Sequence, residues 1–180
     1  PFDRPEHRHA MAYVLADGLI ALAGVDYVAA GLSDYGKPGD FLERQVQRWT
    51  SQLASYPQKY PGWQGRELPY IDDVAKWLEV TRPAMSPPGI LHGDYGSPNC
   101  MFADEPPVKL TAILDWELST IGDPLLDLGM LIYPLRDRRA PDVIPASAIY
   151  DVSALPTRQE VAGYYAERTG RDISSIDYYM

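Results

Sequence analysis

The chain has 180 residues, of which 46% are hydrophobic and 23% charged, and its formal net charge at pH 7 is −9. This composition is typical of a globular protein and argues against a disordered chain; the length predicts a single domain over residues 1–180. The acidic balance argues against broad electrostatic attraction to nucleic acid or to an anionic membrane surface, so we expect neither partner.

The sequence also bears on membranes and compartment. The longest apolar run, Met11 to Val25, contains Asp17 and falls short of the roughly 20 apolar residues that a bilayer requires, so it predicts a core helix. No secretory signal pattern is present. Cys100 is the only cysteine, which excludes an internal disulfide and favours the reducing cytoplasm.

Three helices are predicted in the first half of the chain. Apolar spacing predicts a helix over Pro5–Ala23 and a second whose apolar stripe spans Phe41–Leu53, with Asp40 as its capping residue. The Pro- and Gly-rich segment Ser55–Glu67 predicts a surface connection. A third helix is predicted over Pro69–Val80.

The second half begins with short apolar runs that suit strands better than helices: Ile90–Leu91, Cys100–Phe102 and Leu110–Leu114. Helices are then predicted over Pro124–Leu135 and over Thr157–Thr169, the last opened by a capping-box pattern and closed by glycine. We therefore predict an α+β fold that is mainly α, with a small β-hairpin between the helices.

Polar residues interrupt this hairpin region in ILHGDYGSPNCMF, residues 90–102. If Cys100–Phe102 pairs with Leu110–Leu114, Asn99 and Asp115 meet at the same end of the hairpin. Their oxygens are hard ligands of the kind that Mg²⁺ accepts together with nucleotide phosphates, and Asp94 would remain free to accept a proton from an attacking hydroxyl. Each residue alone also suits an ordinary turn; the convergence of the three favours a site.

Longer motifs carry a resemblance to a known family. His92-Gly93-Asp94 followed by Asn99, and LDWELSTIGDPLLDLG at residues 114–129, resemble the catalytic and metal-binding loops of aminoglycoside phosphotransferase-like kinases. The pattern is most similar to the branch that includes the kinase domain of acyl-CoA dehydrogenase family members. Residues 31–49 and 155–172 also resemble that branch, so the resemblance covers nearly the whole chain and implies a protein-kinase-like C-terminal lobe.

The resemblance implies a role for several residues. It implies Asp94 as the catalytic base, Asn99 and Asp115 as Mg²⁺ ligands, and His92 and Asp127 as supports of the loop. It further implies ATP as co-substrate. We expect the carboxylate of Asp127 to be buried, with backbone N–H groups of the catalytic loop as donors.

The residues between Asp94 and Asn99 differ from those of the branch, which usually has a charged segment containing Arg and Asp at this place. In this chain the segment is Tyr-Gly-Ser-Pro. Tyr95 and Ser97, which lie in this segment, are substrate-side candidates, and Glu117, two residues after Asp115, is a third. Asp123, before a proline, is predicted to be a helix cap rather than a ligand.

The sequence shows no Gly-rich loop and no strand lysine of the kind that a kinase N-terminal lobe supplies. With Pro1 as first residue, this predicts that the chain is the C-terminal lobe of a longer kinase whose nucleotide-binding lobe is absent from it. The isolated chain should then be inactive, and the uncovered lobe interface could drive self-association.

Three functions remain open. The first is an ATP-dependent phosphotransferase that acts on a small-molecule hydroxyl, for which the branch implies a hydroxyacyl-CoA-like acceptor. The second is a non-catalytic scaffold with a kinase-like shape. The third, a metal-dependent hydrolase, lacks the usual histidine cluster, because His7 and His9 lie far away in the sequence.

Overall fold

A computed structural model of the chain describes residues 4–62, 65, 68–139 and 154–180. The main elements in this part of the chain are five α-helices and four short strands. In chain order they are α1 (Pro5–Ala23), α2 (Phe41–Lys59), α3 (Ile71–Val80), β1 (Gly89–Leu91), β2 (Cys100–Phe102), β3 (Leu110–Ile113), β4 (Thr120–Gly122), α4 (Leu125–Ile132) and α5 (Arg158–Thr169).

The core forms where α1 packs against α4, α5 and β1. Pro5 occupies the first turn of α1, where its missing N–H removes no helical hydrogen bond. The fully buried apolar side chains come from several elements, among them Ala16, Leu128, Ile132 and Val161. None of the described helices is long and apolar enough to cross a membrane.

The strands form two separate antiparallel pairs. β2 pairs with β3, with Cys100 opposite Ile113, so the predicted hairpin is confirmed. β1 pairs with β4, with Leu91 opposite Thr120. The sequence prediction missed β4 because a three-residue segment that ends in glycine and precedes aspartate has no strand pattern of its own, and its partner lies about thirty residues away.

Two predicted boundaries and one predicted cap are wrong. α2 continues through Pro57 to Lys59, within the segment expected to be a connection, because a proline in the last turn removes only one backbone hydrogen bond. Asp40 does not cap α2 with its side chain: its backbone is left-handed, with φ 55°. α3 begins at Ile71 rather than Pro69, because the preceding Tyr70 is also left-handed, with φ 64°. The remainder of Ser55–Glu67 includes positions outside the described residues.

The capping box of α5 is confirmed. The Thr157 N–H donates to the Glu160 carboxylate at 2.8 Å, and the Glu160 N–H donates to the Thr157 hydroxyl at 3.4 Å. Gly170 closes the helix in the left-handed conformation. The hydrogen bonds from the Thr157 backbone and side chain lower the pKa of Glu160.

This shift predicts a pH-dependent contribution to stability. Because the pKa of Glu160 is lower in the folded chain, the stabilisation is present above the ordinary glutamate pKa of about 4.3 and is lost as the pH falls through the folded value. Glu160→Gln should lower the free energy of urea unfolding by roughly 0.5 kcal/mol at pH 7, and by less at pH 3.5. Glu167→Gln, on the same helix, is the control; equal losses for Glu160→Gln at both pH values would contradict the assignment.

A second prediction concerns the packing of α4 against the C-terminal turn Ile176–Tyr179. A Cβ on Gly129 would lie 2.5 Å from the Tyr179 carbonyl oxygen, whereas a Cβ on Gly163 of α5 meets nothing within 4 Å. Gly129→Ala should therefore destabilise the fold by about 2 kcal/mol, and Gly163→Ala should stabilise it by about 0.5 kcal/mol, as measured by chemical unfolding. If both variants were stabilised, the close packing at Gly129 would be refuted.

Candidate active site

The loop that follows β1 is attached to α4 through Asp127. This carboxylate is only 1% exposed and accepts the His92 N–H at 2.6 Å and the Gly93 N–H at 2.9 Å. Burial raises the pKa of Asp127, and the two hydrogen bonds oppose that shift. Gly93 has φ +86°, a conformation that favours glycine. The contacts are those expected from the sequence.

The imidazole of His92 joins this loop to the end of β3. The ring is fully buried; its Nε2 lies 2.7 Å from the Leu114 carbonyl oxygen, and its Nδ1 accepts the Asp94 N–H at 3.3 Å. These partners assign the proton to Nε2, because a carbonyl can only accept. The Trp116 ring packs against the imidazole with 4.9 Å between centroids. His92 therefore fixes Leu114 relative to Asp94.

Leu114 is also bound on its other side. Its N–H donates to the Asn99 carbonyl oxygen at 2.8 Å, which extends the β2–β3 pairing by one hydrogen bond. The next residue, Asp115, has φ +62°, which is uncommon for a residue other than glycine. The main chain thus brings Asn99 and Asp115 to the same end of the hairpin, as the sequence predicted.

The side chain of Asn99 contacts Asp94 directly. Its Nδ2 donates to the Asp94 carbonyl oxygen at 2.8 Å and to one carboxylate oxygen at 3.0 Å. With both amide hydrogens used, the Asn99 Oδ1 atom remains available to a ligand. One oxygen of Asp94 is also left without a hydrogen bond in the described part of the chain, and both Asp94 and Asp115 are exposed.

These donors fit a magnesium ion. The Asn99 Oδ1 atom and the exposed Asp115 carboxylate are hard oxygen ligands, and water and phosphate oxygens commonly complete such a site. Among the described residues, no group of three or more His, Cys, Asp or Glu side chains could hold a metal ion. Asn99 and Asp115 would therefore need oxygens from water or a ligand to complete the coordination of the ion.

Tyr95 is not available to a substrate. Its side chain is only 2% exposed, and its hydroxyl donates to the Leu15 carbonyl oxygen at 2.8 Å, so this substrate-side prediction is wrong. Burial also raises the pKa of Tyr95. The physical reason is a tertiary contact: the Tyr95 ring is buried in the core and its hydroxyl reaches the backbone of α1.

The other substrate-side candidates are placed differently. Ser97 lines a mainly apolar cavity of about 250 Å³ between the loop, α1 and α4. Glu117 is exposed on the turn after Asp115. Their roles stay predictions, as do those of Asp94, Asn99, Asp115, His92 and Asp127.

Asp123 is fully buried at the start of α4. It accepts the Leu125 N–H at 3.1 Å, and its other oxygen accepts the Ser86 N–H and the Tyr179 hydroxyl, each at 2.8 Å. The predicted capping contact is present, and the remaining hydrogen bonds fasten α4 to two distant segments.

Sequence reasoning missed Leu114 and Trp116 as parts of the site. Leu114 acts through its main chain, for which the residue type gives no signal. Trp116 contacts His92 through its ring and donates its indole N–H to the Ile113 carbonyl oxygen at 2.9 Å. A tryptophan directly after Asp115 was the only signal available.

Comparison with known proteins gives the class of this chain. A family model described as APH, phosphotransferase enzyme family, matches residues 1–164. The chain belongs to this phosphotransferase family.

Two curated relatives are acyl-CoA dehydrogenase family members. The chain is 34% identical over 125 residues to family member 10 of Mus musculus, which covers 69% of the chain and 11% of that protein. It is 31% identical over 170 residues to family member 11 of Rattus norvegicus, which covers 93% of the chain and 21% of that protein. The chain therefore spans about a tenth to a fifth of the length of these relatives.

A solved structure shares the fold. It comes from Ralstonia eutropha and is assigned to the aminoglycoside phosphotransferases; the TM-score is 0.77 at 32% identity, over 99% of this chain and 53% of that one. The expected protein-kinase-like fold, mainly helical with a small β-hairpin, is thereby confirmed.

The Asp127 contacts predict a specific loss. Asp127→Asn places an NH₂ group, which cannot accept, opposite one of the two backbone N–H groups. We expect the free energy of unfolding to fall by about 1–3 kcal/mol, and amide hydrogen exchange at His92 and Gly93 to become faster. Asp104→Asn, at an exposed turn position, is the matched control. Unchanged exchange at both amides would refute the proposed attachment of the loop to α4.

Proposed function

We propose that this chain carries the catalytic loop of an ATP-dependent kinase that transfers the γ-phosphoryl group to a hydroxyl of a small molecule. The observation that carries the proposal is the pairing of Asp94 and Asn99. One amide group holds the carboxylate and leaves its own oxygen free, and the Asn99 carbonyl oxygen accepts the N–H of Leu114, the residue before Asp115. Membership in the phosphotransferase family supports the same reaction class.

In this mechanism Asp94 orients the acceptor hydroxyl and accepts its proton as the oxygen attacks the γ-phosphorus. The bond from the γ-phosphorus to the bridging oxygen breaks, and ADP leaves. Hydrogen bonding from the Asn99 amide fixes one carboxylate oxygen of Asp94, so the other is directed at the acceptor. His92 and Asp127 restrain the main chain of the loop and touch neither substrate.

Asn99 and Asp115 are the residues that would hold Mg²⁺. When bound, the ion supplies positive charge that neutralises the phosphate oxygens of the nucleotide. The left-handed backbone of Asp115 is consistent with this role, because sparsely populated conformations cluster at ligand-binding positions.

For the acceptor we propose a hydroxylated acyl-CoA or a similar metabolite. The curated relatives carry acyl-CoA dehydrogenase in their names. The apolar cavity beside Ser97 gives a second argument, since it offers space for a hydrocarbon segment next to the loop that bears Asp94. We further propose that turnover needs additional nucleotide-binding elements, because the chain matches only 53% of the Ralstonia structure.

The experiment is Asp94→Asn in the full-length gene product. The substitution removes the proton acceptor and preserves shape, so kcat should fall about 10²- to 10⁴-fold while ATP affinity stays nearly unchanged. ADP release measures turnover, and calorimetry measures ATP binding.

Asp104→Asn serves as the matched control and should leave both quantities unchanged. If Asp94→Asn weakened ATP binding as much as turnover, the role of base would be refuted. A wild-type protein that transfers no phosphoryl group to any hydroxyl acceptor would favour the scaffold function instead.

A further inference from the structure

A second cleft, of about 420 Å³, lies between α2, the segment before it and β4. Three cations line it, Lys37, Arg44 and Arg48, together with polar residues that include Gln45, Ser51 and Thr120. No carboxylate is among its lining residues. In a chain with a net charge of −9, this is a local concentration of positive charge.

The three cations are not neutralised by carboxylates of the described residues. The guanidinium of Arg44 donates to the carbonyl oxygens of Lys37 and Gly39, which carry no net charge. The nearby Glu43 pairs instead with Arg82 at 3.3 Å. Within the described ranges, no acidic oxygen forms an ion pair with Lys37, Arg44 or Arg48, so no carboxylate there balances their charges.

The segment before α2, which forms one side of this cleft, packs closely against β4. A Cβ on Gly36 would lie 2.5 Å from the Thr120 hydroxyl oxygen, so the segment that carries Lys37 lies directly on the strand. The Tyr35 hydroxyl and the Ser119 hydroxyl are 2.5 Å apart. The side of the cleft that carries Lys37 therefore has a defined position relative to the turn after Asp115.

The cleft also lies near Asp94. Thr120 is paired with Leu91, and paired Cα atoms in antiparallel strands are about 5 Å apart. The three residues from Leu91 to Asp94 span at most about 11 Å, which places Asp94 within about 16 Å of Thr120. Because Asp94, Asn99 and Asp115 do not line the cleft, an anion bound there is not the phosphoryl group that reacts.

We propose that this cleft binds the phosphate-bearing end of an elongated acceptor whose hydroxyl reaches Asp94. The inference rests on the proposed function and adds the location of a subsite. Guanidinium and ammonium groups form charge-assisted hydrogen bonds to phosphate oxygens, and three cations match a group that carries several negative charges. The volume exceeds that of a single phosphate and suits part of a larger ligand.

Binding of coenzyme A to the 180-residue chain tests the proposal without turnover. Lys37→Gln and Arg48→Gln should each raise the Kd for coenzyme A about ten-fold in calorimetry. Lys76→Gln removes the same charge from an exposed position on α3, outside the cleft, and should change the Kd less than about two-fold. Arg44 is left intact because it also binds the backbone of its own loop.

Two further probes separate the sources of the phosphate. Pantetheine, which lacks phosphate, should bind weakly and respond to neither substitution. The Kd for Mg²⁺–ATP should also be unchanged by either substitution. Equal weakening of ATP binding and coenzyme A binding would assign the cleft to the nucleotide and overturn the proposal. Equal effects of Lys76→Gln and Lys37→Gln, or no binding of coenzyme A, would also overturn it.

In the full-length gene product, Lys37→Gln and Arg48→Gln should raise the KM for an acyl-CoA acceptor and leave kcat and the KM for ATP unchanged. A fall in kcat without a change in the acceptor KM would overturn the subsite. Failure of the proposed reaction can be distinguished from failure of the subsite. The Asp94→Asn chain should bind coenzyme A as tightly as the wild type, whether or not Asp94 is the base.

Discussion

The buried carboxylate of Asp127 accepts two backbone N–H groups, and the arrangement of the site depends on this interaction. A carboxylate in the core is costly unless donors surround it, and the N–H groups of His92 and Gly93 would be equally costly without an acceptor. The carboxylate and the two N–H groups thus satisfy each other's need for a hydrogen-bond partner. Because α4 also carries the fully buried Leu128 and Ile132, the loop after β1 is fixed to a helix of the hydrophobic core.

Hydrogen bonds to main-chain groups then connect this loop to the rest of the site. The imidazole of His92 binds the Leu114 carbonyl, and the Leu114 N–H binds Asn99, so main-chain atoms of Leu114 and Asn99 hold two loops together. The carboxylates of Asp94 and Asp115 are left exposed. This division is physically sensible: buried polar groups need fixed partners, whereas groups that bind ligands must keep free oxygens.

The distribution of charge matters more than its sum. The chain has a net charge of −9, yet the cleft beside β4 presents Lys37, Arg44 and Arg48 without an opposing carboxylate in the described residues. Arg44 and Arg48 are four residues apart on α2, a spacing that places them on one helix face and could be recognised in the sequence. Their position opposite Thr120 could not, because it depends on the contact of Gly36 with β4.

The sequence by itself determined the elements whose energetics are local: the helix periodicity of α1, the capping box of α5 and the β2–β3 hairpin that brings Asn99 to Asp115. It also determined the family, through motifs of specific spacing. Only the tertiary structure decided the pairing of β4 with β1 and the burial of Tyr95 against α1. The reason is that a three-residue strand and a single aromatic side chain gain their stability from partners distant in the sequence, and no local pattern records those partners.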